Sequence, residues 1–312
     1  MRAYYSDRFV LPLPDGHRFP MKKYRWLRER VAREMPDIEL VEPDAATDGE
    51  LALAHTPAYI ERVATGALSP AETREIGFPW SPEMVERSRR SAGATIGACR
   101  TALEEGVSVN LAGGTHHAYA DKGSGFCVFN DAAIAARRIQ AEQVKRGAAF
   151  RVAVIDLDVH QGNGTASILA NDPTVFTLSL HGEKNFPFRK ETSDLDVGLP
   201  DGTGDEEYLT ALDHALNTLF ARFTPSLVIY LAGADVHEGD RLGKLKLTKA
   251  GIEQRDRIVL TRTVGCAIPV AIAMAGGYGR DLEQTVDVQF STVRIAREYA
   301  RAWSASRKAS AA

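Results

Sequence analysis

The chain has 312 residues, 44% of them hydrophobic and 25% charged, with a net charge of −3. That supplies apolar side chains for one large core and excludes the basic excess of a nucleic-acid footprint or of a surface drawn to anionic membrane. No window approaches the roughly 18 apolar residues of a membrane span. Cys99, Cys127 and Cys266 have no paired spacing, so a reducing, cytoplasmic setting without a disulfide framework is expected.

The first 19 residues are polar and broken by prolines, unlike a signal peptide. Helical periodicity then covers 20–35. Ser81-Pro82 places a cap residue before a first-turn proline and opens a helix over 82–105; its Arg87, Arg89 and Arg90 are expected on a solvated face. An apolar strand follows at 107–111. Asn130-Asp131 can cap an alanine-rich helix over 131–146. Strands at 152–156 and 175–180, a helix at 206–222, a strand at 227–231, a helix at 248–265, a strand at 270–274 and a helix at 281–303 complete the series. The tail, 304–312, is small and polar and is expected to fray. Near-continuous apolar strands alternating with helices predict one α/β domain over 1–303, its open, mainly parallel sheet covered by helices on both faces.

Polar clusters follow four of these strands. After 152–156 comes Asp156-Leu-Asp158-Val-His160-Gln-Gly162-Asn163-Gly164, whose period of two puts Asp156, Asp158 and His160 on one face while the chain stays extended. Alone, such residues would more often cap a helix than bind metal. Yet His116-His117 follows strand 107–111, Asp235 follows 227–231, and Gly276-Gly277-Tyr278 follows 270–274. In a parallel sheet all four clusters fall on the carboxyl edge, where ligands bind, and their glycines allow close backbone approach. Asp158, His160 and Asp235 then make a zinc site with its fourth position open, polarising a carbonyl and acidifying a bound water. One of His116 and His117 would act as general base and acid, the other electrostatically. Tyr278 would donate to an oxyanion; Asp156 and Asn163 would orient the histidines.

These runs, with Gly125-Phe126-Cys127 between them, resemble in the same order the motif series of the zinc-dependent histone deacetylases. Gln161-Gly-Asn163-Gly, Glu238-Gly-Asp240-Arg241-Leu-Gly, Ala250-Gly-Ile252 and Arg255-Asp256 are similar to its class IV branch. The resemblance implies the arginase–deacetylase fold, one zinc on Asp158, His160 and Asp235, His117 as main base with His116 beside it, and Tyr278 on the carbonyl. It implies an acyl-lysine tunnel lined by Gly125 and Phe126, and a potassium site on Asp156, Asp158, His160, Ser179 and Leu180. Asn163 departs from the aspartate found there in class I, so His117 should be less basic. The family's rim carboxylate has no counterpart between 65 and 85.

Phe186 and Phe188 are set as tunnel walls opposite Phe126, with loop packing the equal alternative. Gly276 and Gly277 are placed against substrate. Cys127 is read as a buried filler, His237 as solvent-facing, and His17, His55 and His214 as uninvolved. The leading expectation is hydrolysis of an Nε-acyl-lysine amide on a protein or peptide, tilted by the class IV likeness toward long acyl chains. Alternatives are an acetylated polyamine or other small amide, which a narrow acidic mouth would favour, and an acyl-lysine-binding module without turnover. No nucleic-acid partner is expected, and the oligomeric state is left open.

Overall fold

The computed structural model describes residues 1–14, 16–144 and 150–311, with backbone alone for 308–311. In chain order its elements are β1 (Arg2–Tyr4), α1 (Lys22–Glu34), β2 (Glu39–Val41), α2 (Asp48–Leu51), α3 (Pro57–Thr65), α4 (Pro70–Ile76), α5 (Pro82–Glu105) and β3 (Val107–Asn110). There follow α6 (Asp131–Val144), β4 (Val152–Asp156), α7 (Asn163–Leu169), β5 (Val175–Gly182), β6 (Leu195–Leu199), α8 (Asp205–Arg222), β7 (Leu227–Leu231), α9 (Lys249–Val264), β8 (Val270–Ala273) and α10 (Leu282–Ala311).

Among the described residues eight strands form one sheet in the order β2-β1-β3-β8-β7-β4-β5-β6. Every pairing is parallel. The sheet is open and helices cover both faces, as the strand–helix alternation predicts. Period-two alternation divides the core: Val107, Ile155, Tyr230 and Ile272 face α1, α8, α9 and α10, whereas Val154, Ile229, Leu231 and Ala273 face α3, α5 and α6.

The connections decide where a ligand can sit. From β4 the chain moves outward to β5 and β6; from β7, its neighbour on the other side, it moves to β8. Loops leaving adjacent strands in opposite directions open a crevice at their carboxyl ends. The loops after β4 and β7 border that crevice.

The sequence reading missed several elements for identifiable reasons. β1 and β2 have three residues each, and β6 is half exposed on an edge, so none carries an apolar run. α3 and α4 start at Thr56-Pro57 and Ser69-Pro70, where each hydroxyl caps a backbone N–H as Ser81 does for α5. The Asn130 cap is present, its Oδ1 accepting from Ala133 N at 3.0 Å. The last two residues of the helix expected over 131–146 lie outside the described residues. The tail departs from expectation: α10 continues through 304–311, because Ala, Arg and Lys favour helix and no glycine or proline stops it.

A candidate metal centre and histidine pair at the carboxyl edge

Buried side chains hold each polar cluster in place. The loop leaving β3 is pinned by Asp131 at the start of α6, whose carboxylate accepts from Gly114 N (2.9 Å), Thr115 N (2.8 Å) and Thr115 Oγ1 (2.8 Å). Behind β4 and β7, the fully buried Arg255 donates to Gly233 O at 2.7 Å and pairs with Asp256. Asp256 in turn accepts from Tyr230 Oη and Thr292 Oγ1. The loop after β8 is held by Asp240, which accepts from Tyr278 N at 2.6 Å, and by Lys23 of α1. The Lys23 ammonium is fully buried; it donates to Gly277 O at 3.1 Å and Ala275 O at 3.4 Å and lies over the Tyr278 ring. Ala275 has φ +50°, a costly conformation for a residue with a Cβ, and Lys23 braces it.

Asp158, His160 and Asp235 meet at the β4–β7 crevice, all buried, with one ligand atom from each within 4.8 Å of the others. Asp158 Oδ1 and Asp235 Oδ2 stand 2.9 and 3.3 Å from His160 Nδ1. Their remaining oxygens accept backbone N–H groups of Gly276 (2.8 Å) and Val159 (3.0 Å), which fixes both carboxylates. Asp235 Oδ2 is buried without a hydrogen bond. Burial, then the charge of Asp158, pushes the Asp235 carboxyl above its usual range. A Cβ on Gly276 would run into that carboxylate. Two crowded carboxylates, one imidazole and an orphaned oxygen in a space kept clear by glycine fit a bound cation.

The adjacent histidines are backed differently. His116 Nδ1–H donates to Asp156 Oδ2 at 2.6 Å. Burial opposes charge on His116, but Asp156 and then Asp158 outweigh it and hold the ring at about 9. His117 Nδ1–H donates to Asn163 Oδ1 at 2.7 Å. Burial, then the charges of His116 and His160, push His117 well below its usual value. Asn163 is oriented by Tyr119, to whose Oη its Nδ2 donates at 2.9 Å, and Tyr119 Oη donates to Glu191 at 3.1 Å. This network fixes the amide, and hence the tautomer that leaves a lone pair on His117 Nε2. Asp156 thus favours the charged form of one ring, while burial and the neighbouring histidines favour the neutral form of the other.

A cavity of about 830 Å³ descends to this floor, lined by both histidines, Asp158, His160, Gly125, Phe126, Phe186, Gly276 and Tyr278. Phe186 packs edge-on to His117 with centroids 4.9 Å apart, and a Cβ on Gly125 would press on both rings. Phe126 joins Phe19, Phe78 and His17 on the other side. Phe188 stands at the mouth rather than along the wall, 88% exposed, because Phe186 takes the place against His117. Burial pushes the Tyr278 hydroxyl well above its usual value, so it stays a donor.

Some expectations about single residues change. Arg87 is buried against the Tyr24 and Phe19 rings and lines the inner cavity, not a solvated face. His237 is buried, its Nδ1 accepting from Gly239 N at 3.1 Å. Glu75 lines the cavity where no rim carboxylate was expected, paired with Lys122 at 2.8 Å. Tyr119, Glu191 and Lys23 escaped sequence reasoning because their partners lie far away along the chain. Cys99, Cys127 and Cys266 are free, and burial pushes the Cys127 thiol up, as befits a filler.

Fold and site together define a class: an α/β protein with a buried cation-binding cluster at the carboxyl edge of a parallel sheet. Residues 17–292 match the histone deacetylase domain. The chain is 44% identical over 297 residues to an uncharacterised protein of Picosynechococcus sp., covering 94% of this chain and 97% of that one. It is 34% identical over 252 residues to histone deacetylase 2 of Arabidopsis thaliana, covering 77% and 63%. Its fold superposes on the crystal structure of an HDAC homologue complexed with SAHA with a TM-score of 0.78 and 26% identity, over 95% of this chain and 83% of the other. The chain belongs to the histone deacetylase family and is a hydrolase of the deacetylase type. None of its described helices is long and apolar enough to cross a membrane.

Proposed function

We propose that this protein hydrolyses an Nε-acyl-lysine amide, with one zinc ion on Asp158, His160 and Asp235. The observation that carries the reading is the pair of adjacent buried histidines, one held by Asp156 and the other by Asn163, beside a three-ligand cluster at the end of an apolar-walled cavity. When bound, zinc supplies a Lewis acid that polarises the amide carbonyl and acidifies a water. His117, neutral and with Nε2 free, takes the proton of the attacking water and returns it to the leaving lysine amine. His116, charged on Asp156, favours the negative charge that develops on the carbonyl oxygen. Tyr278 Oη donates to that oxygen. Gly125 and Phe186, with Phe126, flank the lysine methylenes, while Gly276 admits the acyl carbonyl; Gly277, expected beside it, instead faces Thr285 and Ala234 away from the cavity.

Asp156 and Ser179 are register partners on β4 and β5, with Leu180 next in the strand. That register supports a monovalent-cation site there, completed by Asp158 and His160 and filled by potassium. The 161–164 and 238–243 runs support membership of the class IV branch. They favour a long acyl chain, with cytoplasmic residence the simplest setting for free thiols. The polyamine alternative loses its support, since the mouth is not acidic.

The test is release of carboxylate from acetyl-lysine and myristoyl-lysine peptides and from acetylpolyamines by zinc-reconstituted protein, with His117→Ala as control. Cleavage of the lysine peptides well above that control is expected. If no amide is cleaved faster than by the variant, the enzyme reading fails.

A further inference from the structure

The mouth of the cavity carries charge opposite to that of the whole chain. Against a net charge of −3, the outer cavity is lined by Arg18, Lys122, Lys184, Arg189 and Lys244, with Glu75 the one carboxylate above the floor among the described residues. Glu75 is neutralised by Lys122, and Lys244 stands 3.7 Å from Asp201. Arg18, Lys184 and Arg189 are exposed, and among the described residues none has a carboxylate within ion-pair distance.

These cations stand on separate loops. Arg18 precedes α1, Lys184 and Arg189 lie between β5 and β6, and Lys244 lies between β7 and α9. Positive charge on more than one side of an opening suits a segment lying across it better than one small anion. The β5–β6 loop is also held firmly. Asn185 Nδ2 donates to Leu242 O at 2.8 Å, Lys190 Nζ to Asn185 O at 2.7 Å, and Glu191 N to Gln161 Oε1 at 2.9 Å. On this stitched loop Phe188 is the most exposed large hydrophobic side chain described. An aromatic side chain exposed on a braced loop beside unpaired cations is a docking feature, since burying it on a partner is favourable and the loop needs little further ordering.

We propose that the rim selects acyl-lysine in an acidic sequence context. Carboxylates flanking the modified lysine pair with Arg18, Lys184 and Arg189, while Phe188 covers the apolar part of the same segment. Basic flanks and polycationic amines are repelled. The inference rests on the acyl-lysine reading of the floor and adds its substrate class.

The experiment uses three labelled peptides, alike except for glutamate, serine or lysine on both sides of the acyl-lysine, each made with acetyl and with myristoyl. Both kcat/KM and Kd by anisotropy are measured with the zinc-loaded protein. The acidic peptides should exceed the basic ones about three- to tenfold at low ionic strength, and the gap should close near 1 M salt. In the Lys184→Glu/Arg189→Glu variant the order of preference should invert. Equal values for the three flanks, or an order that neither salt nor the variant changes, overturns the proposal. Turnover without charge preference sinks the rim and leaves the hydrolase reading; tighter binding of acidic peptides without turnover does the reverse.

Discussion

The floor and the mouth of the cavity are built from the same kind of loop yet answer to different electrostatics. On the floor, Asp156, Asp158 and Asp235 crowd round His116 and His160, all of them buried at the end of the cavity, so each charge must be met by a neighbour or an ion. At the mouth, Arg18, Lys184 and Arg189 stand in solvent, where salt screens them and their pairing is weak. The difference sets the scale of what each region can do. Floor residues should change rates by orders of magnitude, and mouth residues should shift preference by single factors.

The largest effect is expected at the ligand cluster. Asp235→Ala removes one of the three proposed ligands, so zinc retained after dialysis should fall far below one per chain and turnover by at least about 10³-fold. Metal analysis beside the rate measurement checks this, and a variant that keeps stoichiometric zinc would break the assignment. Tyr278→Phe should lower kcat by about 10²–10³ with little change in KM, the mark of a donor used in the transition state.

A smaller effect tests how the floor is held. Lys23→Met takes the buried donor from Ala275 O and Gly277 O, at a cost of about 1–3 kcal/mol. Thermal melting should show lower stability and kinetics a roughly tenfold lower kcat. Lower stability with unchanged kcat would mean that Lys23 braces the loop without positioning Tyr278. Asn163→Asp tests the asymmetry of the pair. A carboxylate beside His117 Nδ1 favours the charged ring and raises its pKa, so the neutral base is lost at higher pH. The acid limb of the pH–rate profile should move upward by about one unit; an unmoved limb would contradict His117 as the titrating base.

The parts legible in the sequence were those where local pattern and tertiary role coincide. β4, β7 and β8 are buried on both faces and read as apolar runs, and each ends in the cluster that reaches the floor. The period of two does not carry through, because β4 ends at Asp156 and the chain bends over 158–160; there Asp158 Oδ1 accepts from His160 N, which sets His160 against Asp158, and parallel topology brings Asp235 to them. What escaped depends on contacts across the chain. Lys23 reads as one more polar residue of an amphipathic helix until β8 delivers Gly277 to it. Arg87 sits in a run of arginines, and only the packing of α5 on Tyr24 separates it from Arg89 and Arg90, which are half-buried against the 43–48 segment. The Tyr119–Glu191 pair spans two loops whose meeting no spacing announces. The missed helices α3 and α4 are a different case, since Thr56-Pro57 and Ser69-Pro70 carry the signal that located α5.

The most direct test of the account is a zinc titration of chelator-stripped protein, followed by cleavage of an acyl-lysine peptide. Activity should rise linearly to one zinc per chain and then level off, with no rise in Asp235→Ala. Full turnover by the metal-free protein, or an equal rise in that variant, would contradict a catalytic zinc on Asp158, His160 and Asp235.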